Sequence, residues 1–198
     1  MDKNSLAMQA IVPKIIELQN QKEIVLAAID GRCASGKSAL AAVLEKELLC
    51  NVLHMDDFFL RPGQRTKERL AEPGGNVDRE RFEIEVLLPL SKGLDFSYRP
   101  FRCDTMGFGN PVKVEAKPIA VIEGSYSHHP ALAGYYDLRI FLSIDYESQL
   151  ARIEKRGGQD ALKSFASLWI PMEEAYFEAF NVEKAAHFCF GKEYLGGK

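Results

Sequence analysis

The octet Gly31-Arg32-Cys33-Ala34-Ser35-Gly36-Lys37-Ser38 has the spacing of a loop that wraps phosphate: glycine, four residues, then Gly-Lys-Ser. Glycines let backbone N–H groups approach phosphate oxygens that a Cβ would obstruct. A helix opening at the end of the loop adds a favourable dipole. Lys37 is placed to bridge β- and γ-phosphates, and the Ser38 hydroxyl to bind Mg²⁺. The expected nucleotide-binding set is Gly31, Cys33, Ala34, Ser35, Gly36, Lys37, Ser38 and Ala39.

An acid near the metal should come from another strand end. "IAVIEG" supplies Glu123 directly after an apolar run, at the rim where open α/β sheets bind ligands. "NVLHM" runs into Asp56 and Asp57. Phosphoryl transfer to a hydroxyl needs a carboxylate that takes or orients the hydroxyl proton, and either member of the pair is free to cap the following turn instead. Arg152 and Arg156 lie four apart on a predicted helix ending in "RGG". Their guanidinium groups suit a lid over the transferred phosphate, hinged at the glycines; they also suit a solvated basic face paired with Glu154 or Asp160. Adjacent histidines on a turn rarely converge on one ion, so His128–His129 reads as surface or loop packing.

These residues need elements to hold them. "IVLAAI" (Ile24–Ile29) reads as a buried parallel strand, followed by a helix over Ser38–Leu49 with Leu40, Val43, Leu44 and Leu48 inward. Asn51–Met55 is a second strand, and Arg61–Asn76 a loop with a short helix. Asp78 caps a helix through Leu88, with Phe82, Val86 and Leu87 inward and Pro89 ending it. "PVKVEA", "PIAVIEG", Asp137–Asp145 and "HFCF" read as further strands. Asp145 caps a helix that Gly157–Gly158 stops, and Leu162–Ala186 is helical, with Phe165, Leu168, Trp169, Met172, Tyr176 and Phe180 on one face and a kink or restart at Pro171. Alternating strands and helices predict a parallel sheet covered on both faces.

The whole chain sets bounds. Its 198 residues suit one domain with a full core, and a net charge of −3 gives no general attraction to nucleic acid or anionic membrane. No apolar run approaches the roughly 20 residues of a membrane span. The N-terminal segment lacks the pattern of a signal peptide and reads as an amphipathic helix with Leu6, Ile11, Ile15, Ile16 and Leu18 near one stripe. Cys33, Cys50, Cys103 and Cys189 have no paired spacing and fit reduced thiols in a cytoplasmic protein.

In order along the chain, "GRCASGKS", "HMDDFFLRP", "NVDRERF", "IAVIEGSYSHHP", "YYDLRIFLSID" and "LARIEKRGG" resemble the uridine kinase-like P-loop kinases. That group includes uridine–cytidine kinase, nicotinamide riboside kinase, phosphoribulokinase and the bacterial pantothenate kinase. The resemblance spans about Ile24 to Phe190. It implies one α/β domain over residues 1–198, of the three-layer P-loop nucleoside triphosphate hydrolase type, with a five-stranded parallel sheet flanked by helices. Residues 1–22 would be a helix packed on it and residues 152–163 a small lid. It implies ATP and Mg²⁺, with Asp56, the first acid of "DDFF", as base and as a metal neighbour beside Ser38 and Glu123. Lys37, Arg152 and Arg156 would offset the charge of the transferring group, and Asp78 would hold acceptor hydroxyls.

The nucleoside-binding segment departs from the family pattern. In "YRPFRCDTMGF", Phe101 stands where tyrosine is expected and Arg102 where aspartate is expected, with no histidine following. Phe101 and Arg102 are the expected acceptor contacts, and Arg99 with Arg102 brings positive charge there. The resemblance implies a kinase for a nucleoside or riboside hydroxyl. The departure favours an anionic acceptor of the pantothenate, sugar-phosphate or nucleoside-monophosphate type. A nucleotide-binding regulator or GTPase is the alternative class, but the guanine-reading N-K-x-D stretch is absent. The expected partner is a small-molecule hydroxyl acceptor, with neither nucleic acid nor membrane, in a chain that forms a homo-oligomer as its relatives do.

Overall fold

The computed structural model describes residues 5–191 and 194; residues 1–4 of the expected N-terminal helix lie outside the described residues, as do 192–193 and 195–198. Helix α1 (Leu6–Gln19) leads into β1 (Val25–Gly31), the phosphate loop, α2 (Lys37–Leu48) and β2 (Asn51–His54). A 3-10 turn (Met55–Phe58) precedes α3 (Lys67–Ala71) and α4 (Arg79–Phe82), which passes through a π turn (Glu83–Leu87) into α5 (Leu88–Leu90). Short strands β3 (Phe96–Tyr98), β4 (Phe101–Arg102), β5 (Gly107–Phe108) and β6 (Val112–Val114) come next. Then follow β7 (Ile119–Glu123), α6 (Pro130–Ala133), β8 (Leu138–Leu142) and α7 (Tyr146–Ser164). A second π turn (Phe165–Trp169) opens into α8 (Ile170–Ala179), α9 (Val182–Ala185) and β9 (Phe188–Phe190).

The main sheet has five strands in the order β2-β7-β1-β8-β9, all parallel. Every residue of β1 and β7 is buried, which is why both read as continuous apolar runs. Alternation divides β1 between two cores. Leu26 and Ala28 face Phe58, Phe82, Tyr176 and Phe177 on one side; Val25, Ala27 and Ile29 face α1 and α2 through Ile11, Ile15, Leu40 and Leu44 on the other. Parallel pairing brings the C-terminal ends of β1, β2 and β7 to one rim, with the phosphate loop, Asp56 and Glu123 just beyond it. Among the described residues, no helix is long and apolar enough to cross a membrane.

Several sequence expectations need correction. "PVKVEA" does not join the main sheet: β6 pairs antiparallel with β3, and β4 with β5, as two satellite ribbons. Pro89 does not end its helix. The π turn Glu83–Leu87 lies just before it, and Phe165–Trp169 stands at the same offset before Pro171. The widened turn loosens the ladder where a proline ring would meet the preceding turn. Gly158 breaks α7 as expected, at φ 71° and ψ −171°, but the helix resumes and runs to Ser164. The buried face of α8 is Ile170, Glu173, Tyr176 and Phe177, whereas Leu168 is exposed; Asn181, left-handed at φ 50°, separates α8 from α9. On α1 the buried stripe is Ala7, Met8, Ile11 and Ile15, leaving Leu6 and Ile16 outside.

The histidine pair is buried rather than on the surface. The His129 ring stacks on Tyr176 at 6.3 Å, and its Nδ1 accepts from the Ala131 N–H at 3.2 Å. Burial, helped by Arg79 and Arg69, pushes its pKa down to about 4. The folded state therefore binds the proton less readily than the unfolded chain, and stability falls as pH drops from about 6.5 through 4, by roughly 3 kcal/mol in total. Urea unfolding between pH 7 and pH 4 should show a steep loss that His129→Gln flattens; equal pH slopes for the two proteins would contradict this.

Candidate active site

One cleft of about 640 Å³ opens at the rim of the sheet. The phosphate loop forms its floor, with Cys33, Ala34, Gly36, Lys37, Ser38 and Ala39 on the lining. Gly36 caps α2 in a left-handed conformation at φ 111°. Gly31 and Ser35 lie beneath the lining. Gly31 is required by its neighbour strand rather than by a ligand: at φ 133°, a Cβ there would stand 2.0 Å from the Leu142 carbonyl oxygen. Lys37 is buried, and its ammonium donates to the Gly31 and Arg32 carbonyls at 2.7 and 3.1 Å. Two of its three donors are thus used in curling the side chain over the loop.

Glu123 and Ser38 meet as expected: the Ser38 hydroxyl lies 3.2 Å from each Glu123 carboxylate oxygen. His54, which sequence reasoning missed, sits 2.6 Å from Glu123 through Nδ1. That hydrogen bond, partly opposed by burial, raises the His54 pKa. A hydroxyl facing a carboxylate is an all-oxygen donor set suited to a hard cation such as Mg²⁺. Among the described residues no group of three or more His, Cys, Asp or Glu could hold a metal alone, so any Mg²⁺ here would draw further ligands from phosphate and water.

The acid pair divides its work. Asp57 accepts from the Tyr98 hydroxyl at 2.9 Å, and its carbonyl from Arg81 at 3.0 Å, which ties it to β3 and α4. Asp56 lines the cleft, and its carboxylate accepts no hydrogen bond among the described residues. It is open to the cleft, but protein surrounds its other sides. This loss of hydration, ahead of the Glu123 charge, holds its pKa above the usual carboxylate range, with Lys37 pulling the other way.

Arg152 and Arg156 both reach the cleft. Arg152 rests on the phosphate loop, donating to the Ala34 and Ser35 carbonyls at 3.0 and 3.4 Å. Arg156 stacks on Phe165 at 5.8 Å. Below them the buried Glu173 of α8 accepts from the Cys33 N–H at 2.9 Å and from Ser125 at 2.6 Å, joining the loop, the turn after β7 and α8. Cys33 is inert there: burial pushes its thiol up to about 12.

Of the expected acceptor residues, Asp56 lines this cleft, whereas Asp78, Phe101 and Arg102 do not. Asp78 is buried, caps α4 through the Arg81 N–H at 3.2 Å, and takes Gln64 at 2.8 Å; it faces a neighbouring groove. Phe101 packs against Phe108 in the β4–β5 ribbon, and Arg102 points to solvent near Asp104. Arg99 is spent on the Gly109 and Phe108 carbonyls. Away from the phosphate loop the cleft is lined by Phe59, Arg65, Asn76, Cys103, Met106 and Tyr126. Their signal was weak in sequence because they come from loops without periodicity; a bridge between Phe59 and Val77 joins the segments of Phe59 and Asn76.

No protein-family model and no curated protein matches the sequence. Solved structures do match over nearly the whole chain. A candidate uridine kinase from Bacillus stearothermophilus aligns with a TM-score of 0.65 at 18% identity, covering 90% of this chain and 98% of that one. A candidate fructose transport system kinase from Silicibacter sp. TM1040 gives 0.68 at 22% identity, covering 94% and 98%. A D-glycerate 3-kinase from Cryptococcus neoformans gives 0.65 at 11%, covering 96% of each chain. At these identities the likeness establishes the architecture: the chain has the α/β fold of the P-loop kinases.

Proposed function

We propose that the protein is an ATP-dependent small-molecule kinase that moves the γ-phosphoryl group of ATP to a hydroxyl of the acceptor. The observation that carries this reading is the convergence, in one cleft, of the phosphate loop with Lys37 and Ser38, the Glu123 carboxylate, and an Asp56 carboxylate that the fold leaves uncommitted. The fold shared with kinases supports it.

In this reading the acceptor oxygen bonds to the γ-phosphorus as the bond from that phosphorus to the β–γ bridging oxygen breaks. ADP leaves, and the hydroxyl proton passes to Asp56. Lys37 holds the β- and γ-phosphate oxygens with the donor its ammonium retains, while the loop N–H groups and the α2 N-terminus cradle the β-phosphate. Ser38 and Glu123 would hold Mg²⁺, which when bound neutralises charge on the phosphates. Arg152 and Arg156 exchange loop carbonyl and ring contacts for the transferring group as the lid closes about Gly158.

Asp56→Asn should abolish ADP release in the presence of acceptor while retaining the thermal stabilisation by ATP–Mg²⁺; turnover in that variant would remove Asp56 from the base role. The base works only when ionised. Because its pKa is raised, the acid limb of kcat/KM should lie above the pH at which an ordinary aspartate titrates, about 3.9, with activity rising as pH passes that limb. Lys37→Ala should lower kcat/KM by about 100-fold or more, and an unchanged value would contradict the phosphate-loop role.

A further inference from the structure

Three polar side chains of the cleft are fastened to one short run of backbone. Asp56 lies on the 3-10 turn Met55–Phe58, and Phe59 just after it bridges to Val77. The Leu60 N–H donates to the Asn76 carbonyl at 3.3 Å, and the Asp78 N–H to the Phe58 carbonyl at 2.7 Å. Arg65 is pinned to the same run, donating Nε to the Leu60 carbonyl at 2.9 Å. Asp56, Asn76 and Arg65 thus stand on one wall with little freedom relative to each other.

Two of them keep donors that no side-chain carboxylate or carbonyl of the described residues takes up. Asn76 is only 6% exposed, and its side-chain amide has no hydrogen-bond partner among the described residues. The amide is open to the cleft, where an oxygen of a ligand can take the place of water. Arg61, Arg69, Arg79 and Arg81 each pair with a carboxylate. Arg65 pairs with none among the described residues; beyond the Leu60 carbonyl it meets only the Cys103 sulfur, at 3.8 Å. Arg65 is exposed at the cleft, so its guanidinium is open to a two-pronged pair with a carboxylate or phosphate of a ligand.

Resting on the kinase reading above, we infer that Arg65 and Asn76 read the acceptor, and that the acceptor is a small hydroxylated anion carrying a carboxylate or a phosphate ester. Its anionic group pairs with Arg65, an oxygen beside the reacting carbon takes the Asn76 amide, and the reacting hydroxyl faces Asp56. A neutral nucleoside or sugar would leave the Arg65 charge unmatched.

The test uses the full chain in a coupled ADP-release assay and in thermal shift with ADP–Mg²⁺ present. The probes are two size-matched sets, glycerate, glycerol 3-phosphate and glycerol, then gluconate, glucose 6-phosphate and glucose, with uridine as a neutral nucleoside. Anionic members should act as acceptors or raise the Tm, and neutral ones should not; the carboxylate and phosphate arms say which anion is used. Arg65→Gln should raise the anionic KM by about 10-fold or more with kcat nearly kept, and Arg65→Lys should recover part of the loss. Asn76→Ala should raise the same KM. Preference for a neutral probe, an unchanged KM in Arg65→Gln, or no response to any probe from a wild-type protein that ATP–Mg²⁺ does stabilise would each overturn the inference. A wild-type protein that ATP–Mg²⁺ fails to stabilise would remove the kinase reading, and this inference with it.

Discussion

Asp30 is fully buried, and its carboxylate accepts four hydrogen bonds: from the N–H groups of Gly31, Tyr126 and His128 at 2.7, 3.2 and 2.9 Å, and from the Tyr176 hydroxyl at 2.9 Å. A carboxylate out of water is tolerated only where donors replace its hydration, and these four do so. They come from three segments: the start of the phosphate loop, the turn that follows Glu123, and α8. The relative placement of Lys37, Glu123 and Glu173 is set by one buried charge that touches none of them. Removing it would leave two N–H groups of the turn without partners in the core, so loss of the network would reach the cleft without any change in its lining.

Arg32 repeats the pattern on the outer side of the loop. Its guanidinium makes a two-pronged pair with Glu174 at 2.7 and 3.0 Å, donates to Ser143 at 2.8 Å, and packs between Phe141 and Phe177. Glu173 and Glu174, adjacent on α8, therefore hold adjacent loop residues, Cys33 through its N–H and Arg32 through its side chain. The loop is thus held from both faces by the protein itself, which would lower the ordering cost of binding a nucleotide in the kinase reading.

The sheet was legible in sequence because burial on both faces writes strands as apolar runs, and the donor half of the cleft because its loop has a fixed spacing. Asp30 and Glu173 were not legible. Asp30 is a single acid at the end of an apolar strand and Glu173 one of two adjacent acids on a helix, and only the fold reveals which donors surround each. Arg65 and Asn76 were overlooked for the reason that Arg99 and Arg102 were overrated: charge in a loop says nothing about direction. Arg99 turned back onto its own ribbon, while Arg65, in a segment read as a loop with a short helix, was held at the cleft by one carbonyl. Asp78, which the resemblance places at the acceptor hydroxyls, has its oxygens engaged by helix capping and by Gln64.

The segment between Gly158 and Glu173 is held differently at its two ends. At one, the helix breaks at a glycine whose missing Cβ meets nothing within 4 Å; at the other, a buried carboxylate fastens α8 to the loop. Between them lie the π turn and Trp169, whose side chain lines the cleft and which is the only tryptophan in the chain. The intrinsic indole emission of the protein therefore comes from a single ring at the mouth of the cleft, and the molecule carries its own optical record of what occupies it.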